Sequence, residues 1–236
     1  MRLARLLTAS LVVLFLVSAA PVTAPPKVAA QPGLPELWNQ LMNPGNRTFR
    51  GNAITFGDLD NTRSGLAGGQ HPSVTMLSCS DSRVPPELVF YQTLGKLFIV
   101  RAAGNVADTF GIASIEYAIK HGYMNLFVVL AHERCGAIEA AIKPDPPLRD
   151  QTPSLNALVG RIRLSFTGPP CRIDEEGCWK RRAQRNAFFA VEDLKSRSAV
   201  IRKAIDVDKV PVVVAYYNLD GSVEALSPMP TSSRGH

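Results

Sequence analysis

A chain of 236 residues, 46% hydrophobic and 19% charged, has an ordinary globular composition and enough apolar material for a sizeable core. Its net charge of +6 is mild, and no basic block is interleaved with aromatics, which argues against nucleic-acid binding. The apolar run over residues 6–17 is too short to span a bilayer, which argues against a membrane anchor.

That run follows Arg2 and Arg5 and precedes the small residues Ser18, Ala19 and Ala20, so it reads as a secretory signal. Val28-Ala29-Ala30 offers a second cleavage pattern. The expected division is a signal peptide and leader over 1–30, then a single domain over 31–236. The mature protein is expected to be exported, periplasmic or secreted, with no stable membrane insertion once the signal is removed. Residues 21–35 are rich in Pro and Ala and read as a linker. Leu34, Leu37, Trp38, Leu41 and Met42 then recur at helical spacing and predict an amphipathic arm over 34–49, interrupted at Pro44-Gly45. Residues 51–69 carry many turn formers and read as irregular.

Beyond them the period changes. A short buried strand is predicted at 74–77, and Pro85-Pro86-Glu87 can open a helix. A second strand follows at 97–100. Ile112, Ile115 and Ile119 mark a helix over 110–121 that stops at Gly122. A third strand spans 126–131, with helices at 136–142, 155–166 and 186–205. Residues 211–217, 218–221 and 222–226 read as strand, turn and strand. The fold class is α/β: a mainly parallel β-sheet with flanking helices, an antiparallel edge hairpin and an N-terminal helical arm.

Ligands of open α/β sheets bind beyond the carboxyl ends of the strands. Cys79-Ser80-Asp81-Ser82-Arg83 follows the first strand, and His132-Glu133-Arg134-Cys135 follows the third. Two thiolates and an imidazole suit zinc. Three protein ligands leave a fourth position open, where water ionises near neutral pH. Arg83 can hold Asp81 through two parallel hydrogen bonds. Asp81 can then accept a hydrogen bond from the bound water or, if released, ligate the metal itself. On spacing alone the alternative stands that each cysteine is an ordinary core residue. A cysteine-phosphatase loop is excluded, because three residues rather than five separate Cys79 from Arg83. Cys171 and Cys178 lie seven apart in a polar loop behind Pro169-Pro170. In an oxidising compartment a local disulfide is the natural pairing, and a second metal half-site would lack further His or Cys nearby.

The Cys79–Arg83 and His132–Gly136 motifs resemble the signature of the β-class carbonic anhydrases. So do Gly45-Asn46-Arg47-x-Phe49, Ala67-Gly68-Gly69-Gln70, Val100-Arg101-x-Ala103-Gly104-Asn105, Ser114-Ile115-Glu116-Tyr117-Ala118 and Ala215-Tyr216-Tyr217, so that the resemblance covers residues 38–226. It implies one zinc ion per chain on Cys79, His132 and Cys135, with Asp81 and Arg83 as a gating pair. It implies a substrate pocket walled by Phe98 and Tyr117, where the Gln70 amide and the Gly136 N–H hold an oxygen of bicarbonate. Retention of Gln70, Phe98 and Tyr117 implies the subclass whose site is constitutively open. The implied activity is reversible hydration of carbon dioxide to bicarbonate and a proton by zinc-bound hydroxide. The proton would pass through His71 or His121 if these lie close. A homodimer or tetramer is implied, with the pocket at the dimer interface and the arm (Trp38, Leu41) packed on the partner. Rival readings are a hydrolase of carbonyl sulfide or carbon disulfide on the same scaffold, and a non-catalytic zinc-binding protein. The chain departs from the family pattern at Ala131, where glycine is frequent, and at Tyr91, Thr93 and Lys96, which are expected to face solvent or a subunit contact. The Cys171–Cys178 loop is read as an addition away from the ligands.

Overall fold

The computed structural model describes residues 34–143 and 152–226. The signal and leader expected over 1–30 lie outside the described residues. The helices in chain order are α1 Glu36–Gln40, α2 Arg47–Arg50, α3 Leu59–Leu66, α4 Pro86–Val89, α5 Thr109–Lys120, α6 Gly136–Ile142, α7 Pro153–Arg163, α8 Cys178–Arg197 and α9 Ala199–Arg202. The strands are β1 Val74–Ser78, β2 Leu97–Arg101, β3 Leu126–His132, β4 Val212–Tyr217 and β5 Val223–Ala225, in the spatial order β2-β1-β3-β4-β5. All neighbours run parallel except β4 and β5, which form the expected antiparallel edge hairpin.

Every residue of β1 and β3 is buried, as uninterrupted apolar strands in a parallel sheet require. Successive side chains leave opposite faces of the sheet. Leu77, Cys79, Val129 and Ala131 join one core with Ile115 of α5, Ile138 of α6, Ile162 of α7 and Leu194 of α8. Val74, Met76, Val128 and Leu130 join a second core on the other face, with Trp38, Leu41 and Phe90. The arm thus supplies that second cover from within its own chain. Trp38 is 1% exposed and meets Phe90 edge to face at 5.9 Å. This corrects the expectation that Trp38 and Leu41 are buried by packing on a partner. After α1 the arm continues as a wide kinked turn, Leu41–Asn46, before α2. Gly45 is required there: a Cβ would come within 2.4 Å of the Phe90 carbonyl oxygen. Asn46 anchors the turn by donating to the Val89 and Gly221 carbonyls at 3.0 and 2.9 Å.

Two elements differ from expectation. Within the stretch read as irregular, α3 forms because Asp58 caps it, its carboxylate accepting from the Asn61 N–H at 3.0 Å. No residue of α3 is buried, and its sequence offers only Leu59 and Leu66 as large apolar residues, too few for a pattern to reveal. The helix expected over 186–205 begins at Cys178 and ends at Arg197. Ser198 is extended there (φ −134°, ψ 116°), and its hydroxyl accepts from the Ile201 N–H at 3.1 Å to start α9. The helix reaches back through the polar run Trp179-Lys180-Arg181-Arg182, and the buried Cys178 is its first residue. Cys171 and Cys178 are joined by a disulfide with a Cα–Cα distance of 5.8 Å.

Candidate metal centre

β1 and β3 are adjacent and in register from Val74↔Leu126 to Ser78↔Leu130. Cys79 follows β1 directly, and His132 is the last residue of β3, so both side chains emerge at the same edge of the sheet. The chain must then turn sharply to return a third ligand. Arg134 makes that turn in the left-handed region, φ 51°, and Cys135 caps α6. The three ligand atoms of Cys79, His132 and Cys135 all lie within 4.8 Å of one another. All three residues are buried, His132 completely.

The donor set fits a tetrahedral metal. The two sulfurs are 3.9 Å apart, close to the roughly 3.8 Å that two sulfurs span on a zinc ion with bonds of about 2.3 Å. His132 Nδ1 lies 2.8 Å from the Glu133 carbonyl oxygen. That oxygen can only accept, so Nδ1 carries the hydrogen and Nε2 keeps its lone pair. Nε2 is buried and has no hydrogen-bond partner among the described residues. A buried acceptor without a partner is costly in an apolar setting, and a cation satisfies it.

The thiols are unequal in the protein alone. The hydrogen bond from Cys135 holds Cys79 down to about 4, helped by the backbone N–H groups of Asp81 and Gly104, against burial. The same pairing, and burial, hold Cys135 up. The Gly104 N–H sits 3.3 Å from Cys79 Sγ. Gly104 has φ 64° and its Cβ would meet Ile162 Cδ1 at 2.7 Å, so only glycine brings that N–H so close.

Asp81 stands beside the ligands, its Oδ2 3.9 Å from His132 Nε2. Arg83 donates to it from Nε (2.9 Å to Oδ1), Nη2 (2.7 Å to Oδ2) and its backbone N–H (3.0 Å to Oδ1). The same Nη2 also donates to the Arg134 carbonyl at 3.0 Å, which ties the first ligand loop to the second. The Arg83 hydrogen bonds, opposed by partial burial, lower the Asp81 carboxyl to about 2. Asp81 is therefore ionised, with both carboxylate oxygens engaged by its guanidinium.

Further residues support the ligands, and of these only Arg101 lies in a motif read from the sequence. Arg101, at the end of β2, donates to the Cys79 carbonyl at 2.9 Å and to the Asp81 carbonyl at 2.7 Å. Trp179 Nε1 donates to the Cys135 carbonyl at 3.0 Å, and Asn186 Nδ2 to the Gly104 carbonyl at 2.6 Å. The disulfide-bonded loop is thus not remote, since the residue after Cys178 reaches a ligand. The available signal was the seven-residue spacing of Trp179 and Asn186, which places both on one helical stripe.

Gly136, the first residue of α6, follows Cys135 and stays with the ligands. Gln70, Phe98 and Tyr117 do not join them within the chain. Phe98 pairs with Thr75, four residues before Cys79, or about 13 Å along the strand. Phe98 stacks on Tyr117 at 6.1 Å, beside Tyr123. Gln70 is exposed ahead of β1. All three sit towards the amino ends of the strands, whereas the ligands sit at the carboxyl ends. His71 and His121, the proton carriers suggested earlier, share that distant end: both are exposed, and His121 stacks on Tyr117 at 3.9 Å. Of the departures, Tyr91 donates to the Thr55 carbonyl at 2.7 Å, and the Thr93 hydroxyl is buried without a partner among the described residues rather than facing solvent.

The family model described as carbonic anhydrase matches residues 74–223. Carbonic anhydrase 2 of Mycobacterium tuberculosis is 33% identical over 190 residues, 78% of this chain and 87% of that protein. A carbonic anhydrase of Mycolicibacterium smegmatis is 32% identical over 203 residues, covering 80% of this chain and 92% of that protein. Among solved structures, the β-carbonic anhydrase CafA of Aspergillus fumigatus aligns with a TM-score of 0.62 at 23% identity, over 76% of this chain and 87% of that one. One of the β-carbonic anhydrases of Sordaria macrospora, described as tetrameric, aligns with a TM-score of 0.61 at 23% identity, over 72% and 87%.

Proposed function

The chain belongs to the β-class carbonic anhydrases, and from that membership we propose that it hydrates carbon dioxide reversibly at a zinc ion held by Cys79, His132 and Cys135. The observation that carries the metal assignment is the buried, unpartnered His132 Nε2 beside two sulfurs 3.9 Å apart. Zinc with three protein ligands supplies an open position where water ionises near neutral pH.

The chain's own groups do the rest. Arg83 uses both carboxylate oxygens of Asp81 and keeps the group charged. Asp81 Oδ2 still has a lone pair on the His132 side, 3.9 Å from Nε2. It accepts the proton-bearing hydrogen bond of the attacking water and so aims that water's free lone pair at carbon. The Gly136 N–H, at the start of α6, holds an oxygen of bicarbonate. Because Asp81 is engaged by Arg83, it leaves the fourth position free, which supports the open-site subclass. Gln70, Phe98 and Tyr117 cannot wall the site of their own chain. They are proposed to wall the site of a second copy, in a homodimer or in a tetramer of the kind described for the Sordaria enzymes. The leader over 1–30 is proposed to direct export, and the Cys171–Cys178 disulfide supports an oxidising destination. Amino-terminal sequencing of mature protein beginning after residue 20 or 30 tests that.

Stopped-flow hydration of carbon dioxide, with metal content measured in parallel, tests the main reading. Wild type is expected to carry one zinc per chain and turn over. Asp81→Ala is expected to keep its zinc and lose roughly 100-fold or more in kcat. Zinc-loaded wild type without activity at alkaline pH would overturn the assignment.

A further inference from the structure

We propose that α8 sets the geometry of the metal centre from outside it: Trp179 fixes the plane of the Cys135–Gly136 peptide, and Asn186 holds Gly104 against the Cys79 sulfur. The proposal rests on the zinc reading above. The two side chains lie two helical turns apart on one stripe of α8; the Trp179 N–H goes to the carbonyl of the ligand Cys135, and the Asn186 amide goes to the carbonyl of Gly104, whose loop touches the other ligand sulfur.

The indole N–H can only donate, and it donates to the Cys135 carbonyl oxygen at 3.0 Å. That oxygen also accepts the Glu139 N–H at 3.0 Å, so two donors from different helices lock it. A peptide unit is planar, and its N–H points opposite to its carbonyl. Fixing the Cys135 oxygen therefore fixes the direction of the Gly136 N–H, the proposed donor to substrate, and the rotation of the Cys135 backbone that carries the ligand sulfur. At the other loop, Asn186 is 3% exposed and its Nδ2 lies 2.6 Å from the Gly104 carbonyl. Reversing the amide would set two oxygens face to face, so its orientation is determined. Gly104 is thereby held between Asn186 and Ile162 while its N–H faces Cys79 Sγ at 3.3 Å. The amino end of α8 is itself tied down, because Cys178, next to Trp179, is buried and disulfide-bonded. One anchored helix thus restrains the loop that bears Cys135 and the Gly104 loop that abuts the Cys79 sulfur. Trp179 and Asn186 reach no reacting atom and are positioning residues.

The test compares zinc-loaded wild type with Trp179→Phe and Asn186→Leu. Val191→Ala serves as a control: this residue of α8 is buried in the same core and has no hydrogen bond to offer either loop. Zinc transfer to a chelator, the visible spectrum after cobalt substitution, the thermal midpoint and steady-state constants are measured on each. Trp179→Phe and Asn186→Leu are expected to release zinc roughly 10- to 100-fold faster and to shift the cobalt–thiolate bands. Trp179→Phe is expected to raise KM more than it lowers kcat. Val191→Ala is expected to lose thermal stability with wild-type zinc release and spectrum. Asn186→Asp, near-isosteric but repelling the Gly104 carbonyl, serves if the leucine variant does not fold. Zinc release that tracks the thermal midpoint across all variants, or spectra identical to wild type, would overturn the proposal alone. A wild type that takes up no zinc defeats the zinc reading and this proposal with it.

Discussion

Asp81 receives three N–H groups from Arg83, and that pairing holds its carboxyl near 2, below the usual value of about 3.9 for an aspartate. A depressed folded-state value stabilises the folded chain above the unfolded value, and the benefit disappears as pH falls through the folded one. Arg83→Gln is therefore expected to cost stability at pH 5 and above, and to converge on wild type as pH approaches 2. Arg83 is half-exposed, so solvent screening limits the cost to about 1 kcal/mol. Urea unfolding of both proteins between pH 7 and 2 checks this, and a difference that grows towards acid would contradict it. At this scale the sequence was most legible. Cys79, His132 and Cys135 follow strand ends, and strand ends are visible in apolar runs. The reach of Arg83 to the Arg134 carbonyl and of Arg101 to the first ligand loop was not visible, since a spacing says nothing about which carbonyl a long side chain finds.

The elements were legible where they are buried and obscure where they are not. β1 and β3 read directly from their apolar runs, because both faces of each are covered. α3 escaped because it is held by a cap rather than by a core, and α8 was read as starting too late because its first turns carry charge. Its amino end is secured instead by the disulfide, which closes a loop of seven-residue separation. Closing so short a loop restricts the unfolded chain by about 2 kcal/mol. The double variant Cys171→Ser, Cys178→Ser is expected to melt roughly 5 °C lower than wild type by circular dichroism. Equal midpoints would mean that packing of Cys178 alone secures the helix.

For the whole molecule, the distribution of site residues along the sheet has a direct consequence. Ligands and Asp81 lie at the carboxyl ends of the strands, while Phe98 and Tyr117 lie towards the amino ends. If the aromatic walls act across a subunit boundary, two defective chains can repair one another. Tyr117→Ala and Asp81→Asn homo-oligomers are each expected to be impaired. A mixed oligomer is expected to regain activity, because the Tyr117→Ala chain keeps an intact Asp81 and is walled by its partner's intact tyrosine. Reassembling the two variants and measuring hydration against the mixing ratio checks this; strictly additive rates would place the walls elsewhere. The motif pattern carried the identities of Gln70, Phe98 and Tyr117, but linear sequence cannot say which copy a wall residue serves. It likewise misplaced the arm: Trp38 and Leu41 are apolar at helical spacing whether they meet a partner or, as here, their own sheet.

The chain has two tryptophans, and the sheet separates them. Trp38 is sealed in one core against Phe90, and Trp179 belongs to the other side with its N–H on the Cys135 carbonyl. Indole emission responds to the groups around the ring, so the protein carries two optical channels on different events. In Trp38→Phe protein, the remaining emission should change when a chelator strips the zinc. In Trp179→Phe protein, it should stay constant until the arm leaves the sheet. Titrating the two variants side by side thereby distinguishes loss of metal from loss of fold without a label.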